Sequence, residues 1–268
     1  MTQELRFGFG KNWANFLQHL DESRIQEAIN SLKSYLGVDS LAGKTFLDVG
    51  SGSGLFSLAA HRLGATVKSF DYDENSVGCT KYLRDTYASD SSWEVFQGSI
   101  LDDELTQKLG TYDIVYSWGV LHHTGNMYKA FENAEKLVKS AGTLFISIYN
   151  DQGLASKGWT VIKKMYVSVP WLRSLIIAAC GLWLWKYRIT WGLIRYGNPL
   201  KFIREYGQNN RGMSAYYDLI DWVGGYPFEV AKPEEVFDFF RKHNFELHYL
   251  KTCAGGLGCN EFVLKRKN

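Results

Sequence analysis

The stretch Phe46–Phe56, FLDVGSGSGLF, decides how the rest of the chain is read. A short apolar run closes on a glycine, as expected of a buried parallel strand. Three glycines then alternate with serines, leaving a backbone that a ligand or another chain segment can approach closely.

Working outward, the same rhythm repeats. Residues 45–50 predict a strand and 55–63 a helix stopped by Gly64. Strands follow over 67–72, 92–99, 112–120 and 142–150, with helices over 74–87, 103–109 and 127–138 between them. Upstream, apolar residues at three- and four-residue spacing predict one helix over 11–36. Five strands alternating with helices over short links imply a parallel sheet covered on both faces. The rhythm breaks after Asn150. Only at 233–243, PEEVFDFFRKH, does a helix resume, opened by proline and two acids. Strands over 245–252 and 260–267 flank the glycine-rich link CAGGLGC and predict an antiparallel pair. The expectation is an α/β, doubly wound, mostly parallel seven-stranded sheet. Its divisions are an N-terminal helical cover (1–40), a core (41–150), a helical insertion or lid (151–228), and a helix and hairpin completing the core (229–268).

In such sheets the ligand lies at the carboxyl ends of the strands, where the strand order switches. The glycines are spaced G-x-G-x-G (Gly50, Gly52, Gly54), not the G-x-G-x-x-G of a dinucleotide loop. Leu55 and Phe56 stand where a phosphate loop needs lysine and a hydroxyl residue. Asp48, two residues before the first glycine, would repel a pyrophosphate and attract a cation. A positively charged ligand is implied.

With DVGSGSG, Asp71 in SFDYD, and SWGVLHHTGN at 117–126, the chain resembles the class I S-adenosylmethionine-dependent methyltransferases. It is similar in particular to the ubiquinone and menaquinone biosynthesis type. The resemblance covers 41–150 and implies a Rossmann-like methyltransferase fold with S-adenosyl-L-methionine as cofactor. It places Asp48, Gly50, Ser51, Gly52 and Gly54 in the first motif. It implies that Asp71 accepts both ribose hydroxyls, Tyr72 lies against the adenine, and Ser99 and Ile100 edge it. Ser117 and Trp118 would flank the methionine part, and Trp13 in FGFGKNW resembles an aromatic cover closing over the cofactor on the substrate side, with a helix packed on the sheet as the alternative.

The chemistry of methyl transfer needs an aligned acceptor and a sink for its proton. His122 and His123, just past the fourth strand, are candidates for a general base, with a turn-capping role as the alternative. Tyr149 and Asn150 end the fifth strand and should face the acceptor. Arg211, Tyr216, Tyr217, Asp218, Asp221 and Trp222 form a polar-aromatic group suited to a substrate wall for a polyhydroxylated acceptor. The four cysteines have no metal-ligand spacing, so no metal is expected, and they fit a reducing, cytoplasmic setting.

The net charge is +2 over 268 residues, but residues 152–204 contain no acid and nine basic side chains. Five of the nine tryptophans lie between Trp159 and Trp191, and Ser174–Trp185 is uncharged. Basic charge, apolar bulk and tryptophans over 157–204 fit an anionic membrane surface contacted peripherally. A lid or a homodimer contact is the alternative. Aliphatic runs such as LIIAAC suit nucleic acid poorly. The function expected is methyl transfer, most directly to a hydroxyl of a small-molecule or lipid- or glycan-linked acceptor. An RNA methyltransferase, or a non-catalytic cofactor-binding module recruited through its basic insertion, is the competing reading.

Overall fold

The computed structural model of the chain describes residues 5–18, 20–88, 92–198, 200–201 and 215–268. One seven-stranded sheet organises them, in the order β3-β2-β1-β4-β5-β7-β6. The strands are β1 (Thr45–Val49), β2 (Thr66–Asp71), β3 (Trp93–Gln97), β4 (Tyr112–Trp118), β5 (Val138–Tyr149), β6 (Phe245–Lys251) and β7 (Cys259–Arg266). The first five are parallel; β7 runs antiparallel between β5 and β6. The helices in chain order are α1 (Gly10–Leu17), α2 (Glu22–Leu36), α3 (Leu55–Arg62), α4 (Glu74–Tyr87), α5 (Asp103–Leu109) and α6 (Met127–Lys136). Then follow α7 (Leu154–Ser168), α8 (Arg173–Tyr196), α9 (Ala215–Gly224) and α10 (Pro233–Lys242).

Each face of the sheet has its own core. Ile25 and Leu32 of α2 and Leu58 of α3 meet Phe46, Val67 and Ile114 on one side. On the other, Phe131 of α6 and Phe240 of α10 meet Leu47, Val115 and Ile146. Phe46 and Leu47 are adjacent and both fully buried, because alternate strand residues enter opposite cores. Burying side chains of this size contributes roughly 1.5–3 kcal/mol each. That rigidity fixes the strand ends. Strand order reverses between β1 and β4, and the loops leaving these two strands open the crevice there.

Several boundaries differ from expectation. The predicted 11–36 helix is two helices, because Asp21 accepts from the Arg24 backbone N–H and starts a new one. β5 begins at Val138 rather than 142, and the helix before it stops correspondingly early. The uncharged 174–185 segment lies inside a longer helix, α8, whose 24 residues span roughly 36 Å at 1.5 Å per residue.

The segment after β5 carries a small core of its own. Trp159 and Tyr166 of α7, Cys180 of α8, and Leu219 and Val223 of α9 pack with Phe228. Tyr149, at the end of β5, packs against this cluster and joins it to the sheet. Among the described residues no single helix is long and apolar enough to cross a membrane, although the bent pair α7–α8 together passes that test of length and composition.

Candidate active site

At the carboxyl ends of the strands lies a cavity of about 540 Å³, within the range of roughly 300–1,000 Å³ usual for small-ligand sites. One end is made by strand-to-helix loops. Gly52 adopts a left-handed φ of 56°, and a Cβ there would come within 3.0 Å of the Trp13 indole. The glycine thus lets α1 lay an aromatic ring on the loop. The Gly52 backbone N–H donates to Asp71 Oδ2 at 2.9 Å, and the Asp73 N–H donates to Oδ1 at 2.9 Å. Asp71 thereby ties the end of β2 to the glycine loop. Burial pushes its carboxyl up to about 6, against the pull of these backbone donors. Asp48, on β1, accepts from Ser57 Oγ at 2.5 Å. Burial pushes it up to about 7, the Ser57 bond opposing and the charge of Asp71 adding to the rise.

Asp48, Gly50, Ser51, Gly52, Asp71, Tyr72, Ser99, Ile100, Trp118 and Trp13 all line this cavity. Two residues expected at the cofactor do not. Gly54 starts α3, where its missing side chain admits Thr80 instead. Ser117 is buried on the sheet with its hydroxyl donating to the Val49 carbonyl at 2.9 Å. Alternation along β4 turns Trp118 toward the cavity and Ser117 away.

The other end is made by the chain after β5. Tyr149, Asp218, Asp221 and Trp222 line it, with Cys259 and Glu261 from β7. Glu261 accepts from Trp118 Nε1 at 3.3 Å. Asn150 instead reaches the terminal hairpin, accepting from Asn260 Nδ2 at 3.0 Å. Tyr216 and Tyr217 lie off the cavity wall, with Tyr216 largely exposed. Arg211 falls outside the described residues.

The histidine pair divides. His122 is fully buried, its ring against Tyr149 at 4.1 Å, and is not part of the cavity wall. Burial drives its pKa well below the usual histidine range, so it is neutral. A general base must reach the acceptor, and His122 does not. His123 does line the cavity. Its Nδ1 lies 2.6 Å from the Pro227 carbonyl, which can only accept, so Nδ1 carries the proton and Nε2 the lone pair. Burial, then the charges of Lys163 and Arg6, lower its pKa to about 3. At neutral pH it is an uncharged wall residue with little appetite for a proton.

Two groups that strand-end motifs do not mark also meet here. Lys163 of α7 is fully buried, its ammonium donating to the Trp222 carbonyl and lying over the Trp222 and Phe228 rings at 4.7 and 4.6 Å. Burial lowers its pKa to about 7. Asp221 accepts from Asn12 Nδ2 at 2.6 Å.

Residues 18–223 match the methyltransferase domain family. The chain belongs to that family. Among curated proteins it is 31% identical over 110 residues to the ubiquinone biosynthesis O-methyltransferase of Rhizobium leguminosarum bv. trifolii (strain WSM2304), covering 41% of this chain and 42% of that one. To the enzyme of the same name from Paraburkholderia xenovorans (strain LB400) it is 32% identical over 129 residues, covering 48% and 53%. The chain thus spans about half the length of the curated relatives it matches. Among solved structures, magnesium protoporphyrin IX methyltransferase from Synechocystis PCC 6803 with bound SAH aligns over 91% of this chain and 84% of that one, with a TM-score of 0.53 and 16% identity. The 1,6-didemethyltoxoflavin-N1-methyltransferase of Burkholderia thailandensis aligns over 92% and 80%, with a TM-score of 0.50 and 13% identity. At these identities the likeness is one of fold.

The methyltransferase domain implies S-adenosylmethionine as the cofactor. That cofactor supplies an activated methyl group on a sulfonium sulfur. The residues of the methyltransferase fit it. Two carboxylates, the buried Asp48 and the half-buried Asp71, line a cavity where each gains from a nearby cation. Each Asp71 oxygen takes one backbone N–H, leaving lone pairs for the vicinal hydroxyls of a ribose. The rings of Trp13 and Trp118 line this end.

Proposed function

We propose that the methyltransferase transfers a methyl group to a hydroxyl of a small or lipid-linked acceptor, taken up at an anionic membrane surface. The observation that carries the reading is the continuity of one cavity from Asp71 and Ser99 to Tyr149, Asp221 and Trp222. A cofactor held by the strand-end loops would present its methyl toward an aromatic pocket with carboxylates in its wall. The O-methyltransferase relatives support oxygen as the acceptor atom. Aromatic walls at Tyr149 and Trp222 favour a flat ring or an isoprenoid-like body over a bare sugar.

The membrane element rests on the insertion's outer surface. Trp171 (81% exposed), Tyr187 (75%) and Ile194 (77%) stand in solvent, with Leu182, Trp183 and Trp191. On α8, Trp183, Tyr187, Trp191 and Ile194 recur at three- and four-residue spacing and share one face, and exposed apolar surface of this kind marks an interaction site. Lys164, Lys186, Arg195 and Lys201 lie within the same acid-free stretch, so its complement is anionic. The reading places the protein in the cytoplasm, peripheral at the bilayer.

Two experiments separate the elements. Methyl-labelled cofactor incubated with protein and a cell extract should label a soluble or lipid fraction and release the label as methyl iodide in hot hydriodic acid. Label confined to RNA or to nitrogen rejects the hydroxyl acceptor. Co-sedimentation with phosphatidylglycerol vesicles should be strong at low salt; an equal partition with and without vesicles rejects the membrane contact.

A further inference from the structure

We propose that Asp221, not either histidine, is the general base that receives the proton of the acceptor hydroxyl, with Asn12 as the positioning residue that holds its carboxylate. The inference rests on the hydroxyl-acceptor reading above and adds the identity of the proton sink.

Geometry gives the assignment. Asn12 Nδ2 donates to Asp221 Oδ1 at 2.6 Å, which fixes the carboxylate plane. The other oxygen, Oδ2, receives no hydrogen bond from the described residues, and Asp221 lines the cavity. Asn12 is followed by Trp13, whose indole covers Gly52 of the cofactor loop. Consecutive α-carbons are about 3.8 Å apart. Two neighbouring residues of one short helix therefore brace the carboxylate and the cofactor loop together, so α1 sets the distance between them.

Several other ionisable groups in the wall already hold partners. Asp71 holds the glycine loop, and Asp48 is bonded to Ser57. Glu261, on β7, accepts from Trp118 through Oε1 and keeps Oε2 unpartnered among the described residues, but unlike Asp221 it is not braced by α1. Tyr149 is raised well above the ordinary tyrosine range by burial, so it stays protonated. His123 offers Nε2, but as an imidazolium it would be buried beside Arg6 and Lys163, which is why its pKa is lowered.

Asp221 has the opposite disposition. Burial raises its pKa to about 7, opposed by the Asn12 bond, raised further by Asp218 one turn earlier on α9, and opposed by the Lys163 ammonium. From α7 it is also faced by Tyr166, from β5 by Tyr149, and from the loop after β4 by His123 close to Gly225. A base near the working pH is ionised often enough to act and strong enough to take a proton. The step balances. The acceptor O–H bond breaks and its proton passes to Oδ2; the oxygen forms the new O–CH3 bond. The sulfonium S–CH3 bond breaks and leaves its electron pair on a neutral sulfur. Charge falls from one cation and one carboxylate to none, which suits a cavity lined mainly by apolar surface.

The test uses the full chain, methyl-labelled cofactor and a cell extract, counting O-methyl label as methyl iodide. Asp221→Asn should lower the labelling rate about 100-fold or more and abolish its acidic limb, while Asp221→Glu restores part of both. Affinity for S-adenosylhomocysteine, read by calorimetry, should stay within about threefold, which excludes misfolding as the cause. Infrared difference spectra without cofactor should show protonated carboxyls titrating near 6 and 7 in wild type; Asp221→Asn should lose one component near 7 and keep those of Asp48 and Asp71. In Asn12→Ala and Lys163→Met the midpoint of the Asp221 component should rise, because both groups lower the pKa, and the acidic limb of the rate should rise with it. Asp221→Asn with a wild-type rate and limb, or limbs that ignore the infrared midpoint, overturns the proposal alone. Wild-type protein that labels no hydroxyl at all overturns the parent reading, and this one with it.

Discussion

One end of the cavity hangs from the sheet, whereas the other is built largely from three helices that follow β5. At the first, Asp48 and Asp71 sit on strands whose neighbours on both sides are hydrogen-bonded, and their backbones have no freedom to retreat from each other. At the second, Lys163, Asp221 and Trp222 meet because α7, α8 and α9 share a small core of their own. Both ends bury ionisable groups and shift them, but for different uses. The strand-held carboxylates are raised by burial and await a cation. The helix-held pair, Lys163 and Asp221, already balance one another's charge.

The sharpest way to break this contrast is at Asp71. Replacing it with Asn removes the charge and one acceptor while keeping the shape. Two charge-assisted bonds to a ribose are weakened, which costs about 3 kcal/mol, or on the order of 100-fold in Kd for S-adenosylmethionine and its product alike. Calorimetry reads it. A change under about threefold would mean that the β2 carboxylate does not hold the ligand.

Next comes pH. Asp48 and Asp71 are raised to about 7 and about 6 in the free protein. The free fold therefore holds their protons over a range where the unfolded chain has released them. It is favoured toward acid and loses that contribution as pH rises through these values. A bound cation favours the ionised forms. Affinity for S-adenosylmethionine should thus fall on acidification from pH 7.5 to 5.5, by about tenfold or more, while the uncharged sulfur of S-adenosylhomocysteine loses less. Equal pH dependence of the two ligands would remove the carboxylates' preference for a cation.

A smaller effect is expected at Gly52. Alanine there meets both a positive φ and the Trp13 ring, costing about 1–2 kcal/mol, seen as a lower urea midpoint. Trp13→Ala in the same background should recover the part due to the ring and leave the part due to φ.

The two ends also differed in how far the amino-acid order exposed them. β1 to β5 and their helices are local patterns, each readable within a dozen residues, and the strand-end loops inherit their place from them. Gly52, Asp71 and Ser99 were legible for that reason. Ser117 was misplaced because pleat alternation, not proximity to the motif, decides which way a strand residue points. Lys163 carries no local sign of its burial; the aromatic faces that surround it come from Trp222 and Phe228, about sixty residues or more further on. Asp221 was visible as one of several polar residues in a dense stretch, but its partner Asn12 lies 209 positions away. Packing between distant helices writes no periodicity into either.

The smallest expected change is also the one that isolates the insertion's outer face. Trp183, Tyr187 and Trp191 on α8 are each more than half exposed, so a Trp183→Ser, Trp191→Ser pair removes little packing. Stability should move by no more than about 0.5 kcal/mol per site, and cofactor affinity should not move at all, since neither residue lines the cavity. Binding to phosphatidylglycerol vesicles should drop about tenfold or more, because each tryptophan contributes apolar area to the interface. Reversing charge at Lys186 and Arg195 should weaken the same binding at low salt and matter less at high salt, where the Debye length shrinks. Vesicle binding that survives the tryptophan pair but disappears with the charge reversal would make the contact electrostatic alone. The apolar face of α8 would then have to be covered by protein, and a concentration-dependent mass by light scattering would show it.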